Sequence, residues 1–186
     1  MEQQWIVGDT RSILSGTYEV REDRVVLKLL LDDIYECKNV LENGKLIVQP
    51  LDPHSQYDKI VVIDPLDGSQ QWGTGNGSVS ENKVVLDVAK KLQVRFASPD
   101  VKVYFTRLDN AERSIQLREH FVEMLEPDFV ICLGTNASQE AFGDEYGIEA
   151  LYNAYFTPGI SGLELADTLV KEVATSTVGR GNGIWE

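Results

Sequence analysis

The run Ile60-Val61-Val62-Ile63 constrains this chain more than any other feature. Four consecutive β-branched residues show no polar alternation, so a strand here is expected to be covered on both faces, as in a parallel sheet. The residues after it agree. Asp64 to Ser80 is a glycine-rich loop, with Gly68, Gly73, Gly75 and Gly77. Ser80 then has the character of a helix N-cap, and Glu81 falls in the first turn, where the helix dipole favours a carboxylate. Val84, Val85, Val88, Ala89 and Leu92 give that helix one apolar face. Strand, loop and helix in this order form the opening of a βαβ unit.

The same grammar continues to the C-terminal part. Val101-Lys102-Val103-Tyr104-Phe105 is a second strand, and Ser114 to Leu125 is an amphipathic helix ended by Pro127. Phe129-Val130-Ile131-Cys132-Leu133 is a third strand, with Cys132 expected as a small core residue. Ile148 to Tyr152 is a fourth. A third helix, Leu163 to Val173, carries its stripe at Leu165, Leu169 and Val173. Ahead of all this, Val25 to Leu29 and Lys45 to Gln49 read as strands with a tight turn at Asn43-Gly44 between them. The expected class is α/β: a mostly parallel sheet with helices on both faces, preceded by a short β-rich segment. Pro50 and Pro53 mark the boundary, giving an N-terminal segment at 1–56 and an α/β domain at 57–186.

Charge narrows the partners. With 17 Lys+Arg against 30 Asp+Glu the net charge is −13, so nucleic acid and anionic membrane surfaces are repelled. Hydrophobic residues make up 42%, enough for a folded core without disulfides or metal. Two cysteines, Cys37 and Cys132, form no disulfide framework and no reactive constellation. No apolar run approaches the roughly 18 residues of a membrane span. The opening Met1-Glu2-Gln3-Gln4-Trp5 has neither the basic nor the apolar region of a secretory signal.

From Lys59 onward the sequence resembles the zinc-dependent N-acetylmuramoyl-L-alanine amidases that cleave peptidoglycan. Their first strand and loop read Ile-Asp-Pro-Gly-His-Gly-Gly, and here the residues are Ile63-Asp64-Pro65-Leu66-Asp67-Gly68-Ser69. Their first helix opens with a glutamate and runs Val-Leu-Asp-Ile-Ala-Lys-Lys-Leu. Here Glu81 is followed by Val85-Leu86-Asp87-Val88-Ala89-Lys90-Lys91-Leu92. Thr106-Arg107 ends the next strand as in the family, and Ser114-Ile115-Gln116-Leu117-Arg118 is similar to the family's Ser-Leu-x-x-Arg helix start. Leu133-Gly134-Thr135-Asn136-Ala137 stands where the family has Ile-His-Ala-Asn-Ala, and Gly147-Ile148-Glu149-Ala150-Leu151-Tyr152 resembles Gly-Val-Glu-x-x-Tyr. The resemblance covers 57–183. It implies a cell-envelope or secreted location. The absent signal leaves a cytoplasmic one open.

The resemblance also implies a site, and here the chain departs from it. The family holds zinc with two histidines and a glutamate, leaving a position where bound water is acidified to a pKa of about 7. The first histidine position falls on Asp67, the glutamate on Glu81, and the second histidine on Gly134, so only Glu81 is kept. The family's general base sits on a later Val-Glu-Leu-Gly-Phe strand, and the sequence reaches Glu186 without it. Leu66 replaces a glycine, which implies a different loop path. His54 and His120, the two histidines present, are read as surface or packing residues. Asp67 and Glu81 with water form a hard-ligand set, suited to Mg²⁺ or Ca²⁺ rather than zinc. Trp72 is a candidate for stacking on sugar or peptide, and Asn136 for orienting a ligand. Arg107 and Arg118 are read as structural, pairing with nearby carboxylates.

The sequence supports three readings. One is a degenerate, C-terminally truncated amidase-like domain without catalytic residues, metal or other cofactor, binding peptidoglycan stem peptide or a protein partner. The second is an active amidase with a rebuilt metal site. The third is a fragment with no function of its own.

Overall fold

The computed structural model describes residues 4–5, 11–66, 75–76, 79–135, 146–155, 162–177 and 180–185. The chain divides into two compact units, Met1–Thr135 and Asn136–Glu186.

The first unit opens with antiparallel strands. β1 (Gln4–Trp5), β2 (Ile13–Val20) and β3 (Val25–Leu31) form one sheet in that order, and β4 (Glu36–Glu42) and β5 (Lys45–Leu51) form a separate hairpin. Asn43 and Gly44 connect β4 to β5 with φ of 51° and 75°. A tight hairpin turn that follows the strand twist needs positive φ at both positions, and Asn-Gly supplies it at least cost. The sequence places the turn correctly but assigns its first arm to Val25–Leu29. Those residues instead pair with β2, and the arm is the polar Glu36–Glu42.

The α/β part continues as β6 (Lys59–Pro65), a two-residue pair β7 (Gly75–Asn76) and β8 (Val79–Ser80), α1 (Glu81–Arg95), β9 (Val101–Phe105), α2 (Ile115–Leu125) and β10 (Phe129–Leu133). β6, β9 and β10 form a parallel sheet in the order β10-β6-β9. The continuous β-branched run therefore becomes the central strand, and only Lys59, at its start, is exposed. Ile60, Val62 and Leu125 of α2 are fully or almost fully buried together, with Phe121, Val122 and Tyr104 against them. Burying each such side chain stabilises the fold by about 1.5–3 kcal/mol. Ile63, on the opposite side of the strand, is also buried, and α1 runs along β6.

The helices start and stop for local reasons. The Ser114 side chain accepts from the Leu117 N–H at 3.3 Å, and Glu126 ends α2 in the left-handed region just before Pro127. Ser80 occupies the N-cap of α1 but makes no side-chain cap bond. The buried face of α1 is Val85, Leu86 and Ala89, whereas Val84 and Val88 are exposed, so the apolar stripe is rotated from the expected one.

In the second unit β11 (Ile148–Leu151), α3 (Gly162–Ser176) and β12 (Gly181–Trp185) make a βαβ unit with parallel strands. Val170 on the buried side of α3 explains Gly181, where a Cβ would lie 3.2 Å from Val170 Cγ1. β12 is absent from the sequence reading. The class itself holds: mixed α/β with a parallel sheet and three helices, preceded by antiparallel β hairpins.

Candidate functional site

β9 lies on one side of β6 and β10 on the other, so strand order reverses at the β6/β10 pair. In open α/β sheets the ligand crevice forms at the carboxyl ends of such a pair. Three of the singled-out residues lie there. Leu66 follows β6, Gly134 and Thr135 follow β10, and Glu81 is the first residue of α1. The Leu66 N–H donates to Leu133 O at 2.9 Å, which ties the two strand ends together. Glu81 Oε1 accepts from the Thr135 N–H at 2.7 Å. A Cβ at position 134 would lie 3.5 Å from Glu81 Oε1 and 2.9 Å from Leu66 Cδ1. Glu81 and Gly134, inferred as two ligand positions from motif order alone, are thus neighbours across the crevice.

A polar layer lies two residues below, at Asp64. Asp64, which is 8% exposed, accepts from Arg118 Nη1 and from Thr106 Oγ1, each at 2.5 Å. Arg107, only 2% exposed, donates to Pro65 O at 2.8 Å through Nε, to Leu66 O at 2.9 Å through Nη2 and to Asp109 O at 3.2 Å through Nη1. The planar guanidinium presents its donors in a fixed fork, which suits three fixed carbonyls. Arg118 pairs with a carboxylate as expected. Arg107 does not: its partners are main-chain oxygens, and its role is to hold the start of the loop after β6. Cys132 is exposed on β10, with Sγ 4.0 Å from Asp64 Oδ2, and is not the core residue its strand suggested.

The histidines lie elsewhere. The His54 Nε2 makes a 2.9 Å hydrogen bond with Leu125 O, and His120 is exposed beside Glu123. Asp67, Trp72 and Asn136 lie outside the described residues. A separate cavity of about 540 Å³ along β9 is lined by Tyr57, Phe96, Lys102 and Tyr104 among others. Two of its polar groups are held by Glu36, which lies outside the lining. Glu36 Oε1 takes Lys102 Nζ at 2.7 Å and the Tyr104 hydroxyl at 2.5 Å. Burial and the Glu36 charge push the Tyr104 phenol far up.

A tetrahedral zinc site needs three protein donors converging on one point. Among the described residues no group of three His, Cys, Asp or Glu comes together. Position 134 has no side chain, and the Leu66 methyl lies where one would begin. Glu81, the carboxylate at this point among the described residues, already accepts a main-chain N–H. The described residues do not fit a histidine-rich zinc centre.

A parallel α/β sheet whose crevice opens at the carboxyl ends of its reversing strands is a fold of enzymes and ligand-binding domains. The profile of the N-acetylmuramoyl-L-alanine amidase family matches residues 61–185. The chain belongs to that family, whose members are cell-wall hydrolases acting on peptidoglycan. It is similar in structure to the N-acetylmuramoyl-L-alanine amidase from Clostridium difficile 630, with 27% identity and a TM-score of 0.60 over 69% of this chain and 69% of that one. It shares its fold with the amidase AmiC2 of Nostoc punctiforme, with 21% identity and a TM-score of 0.55 over 69% of this chain and 68% of that one. The catalytic domain of CwlV from Bacillus (Paenibacillus) polymyxa var. colistinus is another such structure, with 22% identity and a TM-score of 0.53 over 68% and 69%. Comparison with curated proteins yields no match. Among the described residues no helix is long and apolar enough to cross a membrane.

Proposed function

We propose that this chain is an amidase-family domain without zinc hydrolase activity, which binds peptidoglycan stem peptides in the cell envelope or outside the cell. Residues 57–186 make up that domain, and 1–56 precede it as a β-rich segment. The observation that carries this reading is position 134. It faces Glu81 across the crevice, where a second ligand belongs, and it is glycine. Asp67 at the other histidine position is a harder, weaker zinc donor than imidazole. Without a metal-bound water the largest contribution to amide hydrolysis is missing. Trp72 and Asn136 are the candidate contacts for the peptide.

The tests are direct. After dialysis at neutral pH, elemental analysis is expected to find no stoichiometric zinc. About one zinc per chain, lost on Glu81→Ala, would overturn the reading. With zinc added, muropeptides are expected to release no stem peptide above a buffer blank, while purified sacculi retain the protein. Metal-dependent turnover would make it an enzyme, and failure to sediment with sacculi would remove the proposed ligand.

A further inference from the structure

We infer that Leu66 and Gly134 are a coupled pair, in which the Leu66 side chain has taken the space a side chain at 134 would use, and that Glu81 serves as a clamp on the turn after β10. This rests on the reading that the crevice is not a zinc centre, and it assigns the three residues a different job.

Backbone conformation does not require glycine at 134. Three described glycines have positive φ, Gly44, Gly147 and Gly183, and Gly134 is not one of them. Its backbone is open to any residue. Space decides instead. A Cβ there would sit 2.9 Å from Leu66 Cδ1, closer than such carbons approach in folded proteins, whereas the 3.5 Å to Glu81 Oε1 is an ordinary contact. Among the described residues no backbone atom is among the nearest to that Cβ; the crowding atom is the movable end of the leucine side chain. Leu66 cannot retreat by moving its main chain. Its N–H is bonded to Leu133 O, its carbonyl accepts from Arg107, and the preceding carbonyl of Pro65 accepts from the same guanidinium. Only the leucine side chain can yield, at the cost of its contact across the crevice.

Glu81 completes the arrangement. The residue after Gly134 has its N–H on Glu81 Oε1 at 2.7 Å. A helix-start carboxylate on a main-chain donor is satisfied without a metal. A neutral amide oxygen can accept the same bond, so the clamp needs the shape of the side chain more than its charge.

A four-member cycle tests the pair, with thermal unfolding measured in chelator so that adventitious metal contributes nothing. Gly134→His is expected to lower Tm by about 3–10 °C in the native background, and by under about 2 °C when Leu66→Ala is present. Equal shifts in the two backgrounds would overturn the coupling. Should Gly134→His fail to fold, Gly134→Ala with the same Leu66→Ala partner reads the same coupling with a smaller shift. For the clamp, Glu81→Gln is expected to hold Tm within about 2 °C of the parent while Glu81→Ala falls further. Equal losses would overturn it. These readouts concern packing alone. Zinc retained by the unaltered protein would sink the functional reading and leave the cycle's result standing, and the converse holds too.

Discussion

Two layers lie two residues apart at the carboxyl ends of β6 and β10, and they are built differently. In the lower layer Asp64 accepts from both Thr106 and Arg118 in a nearly dry setting, with the Asp64 and Arg118 side chains each 11% exposed. In the upper layer Leu66 faces a glycine, and Glu81 is turned to a main-chain N–H. Both layers contain positions matched by family motifs. The lower residues answer to the fold, since an unpaired Asp64 or Arg118 would be costly whether or not the domain does chemistry. The upper positions are those the family resemblance assigns to a metal, and what the structure shows there is an apolar contact. Matching landmarks therefore attest the scaffold.

The largest effect is expected from breaking the lower layer. Arg118→Met leaves the Asp64 carboxylate buried without its cation, a loss of about 3–5 kcal/mol for such pairs. Arg118 Nε is a buried donor with no hydrogen-bond partner among the described residues, so the lower end, about 3 kcal/mol, is expected. Urea denaturation of the variant measures it. A loss no greater than that of Leu66→Ala would erase the distinction between layers.

Arg107→Lys comes next. One ammonium cannot reach the carbonyls of Pro65, Leu66 and Asp109 with the same fork, so at least one buried acceptor is left bare, at about 2 kcal/mol. The variant also frees the Leu66 main chain. Gly134→His is then expected to be tolerated better in an Arg107→Lys protein than in the parent. An unchanged penalty would mean the loop start is held by something other than this guanidinium.

The lower layer and the scaffold are largely legible in the sequence, and the upper layer is only half so. Ile60–Ile63 announces a strand covered on both faces because periodicity is a local property. Val101–Phe105 and Phe129–Leu133 match their observed bounds for the same reason. β4 escapes a reading of the sequence because Glu36-Cys37-Lys38-Asn39 lacks β-branched residues, and its pairing with β5 is set by the Asn43-Gly44 turn. β12 escapes it because Gly181 and Gly183 weaken any strand signal, and Gly181 is explained only by Val170 on a helix before it. Motif order assigns Glu81 and Gly134 to one site, and the two lie close together. It cannot show that Leu66, 68 positions before Gly134, fills the gap between them, because that is a fact of packing. Asp67, Trp72 and Asn136 remain sequence assignments.

The smallest effect comes from the amino ends of the same two strands, and it gives the comparison an internal control. There Asp128 Oδ1 meets Lys59 Nζ at 2.5 Å and Asp128 Oδ2 accepts from the Ile60 N–H at 2.8 Å. Lys59 is 54% exposed and Asp128 26%, so this ion pair is solvated where Asp64–Arg118 is not. Burial on its own would raise the Asp128 carboxyl, but Lys59 and the Ile60 N–H outweigh it and hold the group below the ordinary aspartate value. A folded value below the unfolded one adds stability above the unfolded value of about 4, and that contribution disappears as pH falls through the folded value. Solvent screening limits it to about 0.2–1 kcal/mol. Asp128→Asn is expected to show that deficit at pH 7, closing toward zero as urea titrations move down from about pH 5. A deficit that stays constant with pH would assign Asp128 to the geometry of the Ile60 N–H bond and not to its charge. A deficit as large as that of Arg118→Met would mean that burial is not what separates the two ends of these strands.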